Sequence, residues 1–530
     1  MGMLAVLAAI ASLAAWLFLR GWHQDSAEYL EALERSVEAA EKTEGDALLG
    51  VLAGLADMDA SRQLRASFSA GFFQAVADRL VPIDFAVTDP SAGPINIRLE
   101  KLTMEFRDGF PRLAATGRAT NARGEVGVVA RGVFRSTLEA DGVRVNLQCL
   151  GLAPTVKDMA LPAWAATIAD AEATRAANTA LAGLTLRLPL ASRFVIEPGQ
   201  PEPIEQWVKT GNGRVLLRIT PPSVSPIVRH LQPRAAFFSQ SGLHICADVL
   251  TSAPVAAATE PAAKPGAGEL AEMLRPWQLP AGTDFQLRAG RELILDTLRE
   301  VNAWPAAGRT VSVQGVTEEG HLLDKTGGPP FGNGFGAWLE GPERLRATLV
   351  LDRLEAVWQS GLPGVSVVVR ATAQGNVQVH VHGNAPRIEA PRLFGRKIGG
   401  GVKIGGGAGT SLGATLPAQS RQLTGALQWD AASGEFSLRI LEPDALTFEV
   451  QIGGVPDELV NLFGAGFALP LPRDRPLYRF AVPKVIDQTV GVPLPREAGG
   501  GTRTFRLRAE GTNPSITEDG LGLSGRLNIE

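Results

Sequence analysis

Apolar and polar residues alternate with a period of two over much of this chain. "INIRLEKLTMEF", "RLAATGRATN", "EVGVVARGVF" and "GVRVNLQCL" are short alternating runs of this kind. Asp-Gly, Gly and Asn breaks part these runs, which predicts an antiparallel meander. The period changes after residue 62. An alternating stretch, Leu64, Ala66 and Phe68, leads into a helical pattern in which Phe72, Phe73, Val76 and Leu80 share one side and Pro82 stops the helix. The same order returns in "FQLRAGRELILDTLREV": a strand, an Ala-Gly pair (Ala289-Gly290, compare Ala70-Gly71), then a helix carrying Leu293, Ile294, Leu298 and Val301. A long β region follows. A further apolar run holds Leu462, Phe463 and Phe467 and reads as a membrane or partner contact, or as a buried helix end.

The start of the chain is different. "MGMLAVLAAIASLAAWLFLR" carries no charged side chain before Arg20 and is long enough as a helix to cross most of a bilayer core. It is an anchor or a signal sequence; the opening Met-Gly-Met and the bulky residues at its end favour an uncleaved anchor over residues 3–19. From residue 24 to 60 Leu30, Leu33, Val37 and Ala40 keep helical spacing while Glu28, Glu31, Glu34, Glu38 and Glu41 fill much of the rest, the pattern of a solvated stalk. Residues 252–268, "SAPVAAATEPAAKPGAG", are aperiodic and read as a linker. The expected organisation is therefore a membrane anchor at 1–22, an acidic helical stalk at 23–60, a sheet-and-helix domain at 61–251, a linker at 252–269 and a second such domain at 270–530. The expected class is α+β: an N-terminal transmembrane helix, then two domains of long curved antiparallel sheet wrapped around apolar helices.

Composition narrows the function. The 530 residues are 45% hydrophobic and 20% charged, with a net charge of -4 and no basic face, which argues against a nucleic-acid partner. Nine of the 51 basic residues are lysine and the rest arginine, a coding bias into which no arginine function is read. Cys149 and Cys246 both lie in strand-like apolar runs; they would pair in an oxidising compartment or stay as buried thiols. A β-rich, lysine-poor chain behind an anchor suggests a single-pass inner-membrane protein with its bulk in the periplasm, although Arg20 alone votes for the opposite orientation.

The chemical motifs fall away one by one. Gly409-Thr-Ser411-Leu-Gly413 fits the serine-hydrolase elbow, but Pro417 follows closely and no histidine comes after His382. His380 and His382 share a strand face without a local third ligand, so they are expected on the wet side of the strand with no metal. No catalytic set and no cofactor are expected.

The order strand, helix, meander, duplicated across a linker, with strand pairs of the form "LTMEFRDGFPRLAATGRAT" and "PSITEDGLGLSGRLNI", resembles the tubular lipid-binding (TULIP) superfamily. In the two doublets Asp108-Gly109 matches Asp519-Gly520, and Gly117-Arg118 matches Gly525-Arg526, at different intervals. The resemblance implies long sheets wrapped around a helix to hold lipid. The expected function is then an envelope protein that binds or transfers lipid in an apolar groove, with Phe72, Phe73, Val76, Leu80, Leu293, Ile294, Leu298 and Val301 on the lipid and a possible protein partner in the envelope. Each buried methylene would add ~0.8 kcal/mol. The alternative is a non-enzymatic scaffold in which the same residues are ordinary core.

Overall fold

The computed structural model describes the backbone of residues 2–530 apart from 57, 90–92, 140–141, 156–160, 183–184, 190–192, 199–201, 211–212, 224, 251–269, 321–322, 326–334, 361–363, 384–391, 394–395, 398–407, 431–434, 443–444, 449–450, 453–466, 471–475, 482–487 and 494–501. Two units share the chain and interleave in sequence. The first takes residues 1–194, 229–293 and 483–530; the second takes 195–228 and 294–482. The expected linker lies outside the described residues, and strands from either side of it belong to the first unit.

Most of the described chain is antiparallel strand, so the α+β expectation gives way to a mostly β protein. The helices are α1 (Gly2–Ala56), α2 (Ala70–Leu80), α3 (Ala171–Leu181), α4 (Leu270–Leu274) and α5 (Arg291–Ala303). The expected transmembrane helix is also corrected. Residues 3–19 are the beginning of α1, which runs on through the acidic stretch to Ala56, and among the described residues no helix is long and apolar enough to cross a membrane. The single-pass inner-membrane location rested on that segment and is withdrawn with it.

Among the described residues the first unit holds strands of two sheets. One is the meander β1's neighbours in sequence form: with β1 as Gln63–Ser69, the strands β2 (Ile83–Asp89), β3 (Gly93–Arg107), β4 (Phe110–Asn121), β5 (Gly124–Glu139), β6 (Gly142–Thr155) and β7 (Thr185–Pro189) pair in sequence order, each antiparallel to the next. The Asp108-Gly109 turn closes β3 on β4, where the Asp-Gly break predicts a hairpin. The second sheet runs Ile227–Ser239, Gly242–Leu250, β1, Phe285–Gly290, Gly520–Ile529, Thr502–Thr517 and Gln488–Pro493, again antiparallel throughout. Its centre is the β1 pairing with Phe285–Gly290, in which Ala66 faces Leu287 and the two repeated strand-to-helix units meet head to tail. Both helix starts are tied alike: Ala70 N–H donates to Ser241 C=O and Arg291 N–H to Asp519 C=O, each at 2.9 Å. The structural counterpart of the Asp519-Gly520 turn is therefore Ser241-Gly242, not Asp108-Gly109.

The acidic stretch is no free stalk. Leu33 and Val37 of α1 are buried, and Phe110, Val133 and Val37 form one cluster. The acidic side chains find arginines of the meander: Glu34 holds Arg112 and Arg131, Glu41 meets Arg107 at 3.0 Å and Glu44 meets Arg135 at 2.8 Å. Burial raises the Glu34 pKa, but the two arginines outweigh it and hold the carboxyl below its ordinary range.

The second unit is one antiparallel succession: Ile204–Thr210, Gly213–Thr220, Thr310–Glu319, Arg346–Val357, Val365–Gly383, Ala408–Asp430, Glu435–Glu442 and Tyr478–Ala481. Leu298 and Val301 of α5 join its core, and Trp304 meets Tyr478 edge to face at 5.3 Å.

Candidate functional site

Of the eight residues expected to hold lipid, all but Leu293 are buried core. On α2, Ser69 caps the helix by accepting from Phe72 N–H at 3.0 Å, and the apolar face turns inward. Phe73 is 1% exposed, with its ring 5.1–6.4 Å from those of Phe72, Phe106, Phe134 and Phe238. Val76 and Leu80 are buried with it. On α5, Ile294, Leu298 and Val301 are buried and Leu293 is half-buried. Elsewhere in the first unit, α3 touches both β2 and β6, so the meander curves around it. The apolar space there, between Leu99, Leu113, Leu147, Ala177 and Leu181, amounts to about 10 Å³, which is room for a single water. Of the expected membrane or partner contacts, Leu462 and Phe463 lie outside the described residues; Phe467 opens a strand, Phe467–Pro470, and its side chain is not described.

A larger opening lies on the other face of β1, within the first unit. Strand alternation sends Leu64, Ala66 and Phe68 toward α2 and leaves Gln63, Arg65 and Ser67 on the opposite side. Over that side pass the end of α1 (Leu52, Leu55, Ala56), Met58, and the turn after α4 with Met273, Pro276 and Trp277. Together with Arg288, Gly290 and Asp519 they enclose a pocket of about 320 Å³, within the size range of small-molecule sites.

The pocket has an apolar wall and a basic floor. Register places Arg65 directly opposite Arg288 on one side and Cys246 on the other. Two like charges in directly opposed positions repel. The Arg65 guanidinium lies 4.3 Å from the centre of the Trp277 ring, which holds it over the aromatic face. Among the described residues Arg288 reaches one carboxylate here, Asp519, at 4.0 Å, and Asp519 is 77% exposed. Burial pushes the Arg65 guanidinium below the usual arginine range; the Arg288 charge pushes it the same way and Asp519 opposes. Among the described residues Arg65 Nε and Gln63 Nε2 are buried donors without a hydrogen-bond partner, and Gln63 is 2% exposed.

Beside the floor, on the same sheet face, is a polar cluster. His244, fully buried, shares hydrogen bonds with Ser67 Oγ at Nδ1 (2.8 Å) and with Ser239 Oγ (2.7 Å) and Ser241 Oγ (3.1 Å) at Nε2. Burial alone lowers its pKa to about 3, so the ring is neutral. Cys246 and Cys149 are free, and burial raises each thiol to about 12.

Among the described residues no group of three His, Cys, Asp or Glu side chains is placed to hold a metal ion. The His380 ring lies tilted against that of Trp338, 4.8 Å between centres, and the side chain of His382 is not described. Ser411 lies inside the strand Ala408–Asp430, opposite His380, with strand on both sides where the hydrolase elbow needs a turn into a helix.

Sequence reasoning missed Gln63, Arg65, Arg288 and Asp519. A signal for the arginines existed: each occupies a polar-phase position in a short strand leading to an apolar helix, in "QLRASFS" and "FQLRAG". In a chain so rich in arginine, that signal did not stand out.

No protein-family model and no curated protein sequence matches the chain. Among solved structures it is similar to P47 of Clostridium botulinum E1 (8% identity, TM-score 0.30, covering 88% of this chain and 99% of that one). It is similar also to P47 from Clostridium botulinum A2 (8%, 0.28, covering 88% and 98%) and to a lipopolysaccharide binding protein (8%, 0.24, covering 88% and 98%). TM-scores of this size do not define a shared fold.

Proposed function

We propose that this chain is a binding protein without catalytic function, and that its ligand is a lipid or another apolar-tailed molecule held in the pocket beneath the end of α1. The observation that carries the reading is the pocket itself: about 320 Å³ bounded by Leu52, Leu55, Met58, Met273 and Trp277. Apolar surface left open at this scale is stabilised by a ligand at ~25 cal/mol per Å² removed from water. The site differs from the groove expected along α2, whose apolar side chains pack on one another.

The test is extraction of the purified full-length chain followed by mass spectrometry, together with uptake of a fluorescent fatty acid. Bound lipid and saturable uptake are expected, with uptake reduced by Leu55→Trp, which fills the pocket. A chain that carries no lipid and takes up none overturns the reading. In that case the second reading, a scaffold with no ligand cavity, is the one favoured by the filled space around α3.

A further inference from the structure

We infer that the pocket selects an anionic head group, a carboxylate or phosphate monoester on a medium-length alkyl chain, with the head between Arg65 and Arg288 and the chain along Leu55, Met58 and Met273. The inference deepens the lipid-binding reading and rests on it.

Three observations point to an anion. First, the register sets two guanidiniums on directly opposed positions of one sheet face, against a single, mostly exposed carboxylate at 4.0 Å. Such a pair is costly until a negative charge sits between them. Second, the unpartnered buried atoms at the site, Arg65 Nε and Gln63 Nε2, are both donors, so what satisfies them is an acceptor. An alkylammonium would add a third cation and leave both donors unpaired. Third, Trp277 holds Arg65 in place before any ligand arrives, which lowers the ordering cost of binding.

The opposite wall sets the other half of the ligand. Leu52, Leu55, Met58 and Met273 offer no hydrogen bonds from their side chains, and methionine adapts to chains of variable shape. At about 30 Å³ per water-sized group, the volume suits about ten heavy atoms, the head group and the first carbons of a decyl chain whose end reaches the pocket mouth. A single short chain with its head fits; a two-chain lipid would leave most of its tails outside.

Asp519 has a distinct role here. Its carboxylate stands 4.0 Å from Arg288, so it competes with an incoming anion. Removing its charge should tighten binding, an effect that a merely structural residue would not produce.

The experiment is calorimetric titration of the full-length chain with decanoate, decyl phosphate, decanol, decyltrimethylammonium and acetate. Decanoate or decyl phosphate should bind at least about tenfold more tightly than decanol, and acetate should not bind measurably. Arg288→Gln should weaken the anions by about tenfold and leave decanol within about threefold. Asp519→Asn should tighten the anions severalfold, and the tighter of the two anions names the head group. Equal binding of decanol and decanoate, or anion affinity indifferent to both substitutions, overturns the head-group inference while lipid binding stands. Binding of acetate as tight as decanoate overturns it as well, because the alkyl chain then contributes nothing. Absence of binding by all four decyl compounds overturns the lipid-binding reading itself.

Discussion

Asn178 of α3 completes the backbone hydrogen bonding of Cys149 in β6: Cys149 N–H donates to Asn178 Oδ1 at 2.7 Å, and Asn178 Nδ2 donates to Cys149 C=O at 2.9 Å. The strand needs this because β7 pairs with β6 only over Gly142–Asn146, so that Cys149 lies beyond its end with backbone groups that would otherwise be buried unpaired. In the second unit Asn302 of α5 does the same for Leu354, at 2.7 and 3.0 Å, next to a slip at Leu351. Gln74 of α2 spans Leu102 C=O and Met104 N–H in β3. Three helices are thus fixed to their strands by a carboxamide on an otherwise apolar face.

Asn178→Ala should therefore destabilise the first unit by about 2–4 kcal/mol, since two backbone groups lose their partner at once. Asn178→Leu should cost as much, despite adding apolar volume. Urea unfolding monitored by circular dichroism reads this; a loss below about 0.5 kcal/mol for both variants would mean that water replaces the amide.

His244 predicts a pH dependence. The unfolded chain protonates this imidazole near pH 6.5, the folded chain only near pH 3. Between these values the unfolded state binds more protons, so stability falls as pH falls from about 6.5 toward 3, by up to ~1.4 kcal/mol per pH unit. Above pH 7 the residue contributes no slope. Unfolding curves at pH 7.5, 5.5 and 4.5 should show the loss, and His244→Gln should be less stable at pH 7.5 but flatter across the series. The same slope in both proteins would assign the acid sensitivity to other groups.

Phe73→Ala removes a ring packed among four others and should cost about 3–5 kcal/mol, against about 1 kcal/mol for Phe73→Leu. Neither should alter decanoate affinity in the folded protein. Loss of ligand with retained stability would return the binding site to α2, where the sequence places it.

The paired turns give a fourth expectation. Gly242 has φ +142°, and a Cβ there would press on Phe68 C=O; at Gly520 a Cβ would press on Ala289 C=O. Both contacts are with backbone, which cannot swing aside. Gly242→Ala and Gly520→Ala should each lower stability by more than about 1 kcal/mol in thermal or urea unfolding. A neutral result at either turn would show that the strand ends there can separate.

Much of the local structure was legible from residue order. Alternation marked β1 and the strands of the meander, and helical spacing put Phe72, Phe73, Val76 and Leu80 on the buried side of α2 and Leu33 and Val37 on the buried side of α1. Asp108-Gly109 announced a hairpin. The pocket was not legible, because it needs Arg65 and Arg288 side by side, and those residues lie 223 positions apart in the chain. Nor could the glutamates of α1 be told from a solvated face: charge pattern says that they are polar, not that Arg107, Arg112, Arg131 and Arg135 wait opposite them.

The chain by itself determined the period of each segment, and with it which side chains of a strand or helix share a face, because that depends only on backbone geometry within the segment. The partner of each face was decided by the tertiary structure. Whether Phe73 would line a groove or meet four other rings, and whether two arginines would be scattered or opposed, depends on which strands pair and how helices lie across them, and those contacts reach 165 positions from Phe73 to Phe238 and 223 from Arg65 to Arg288.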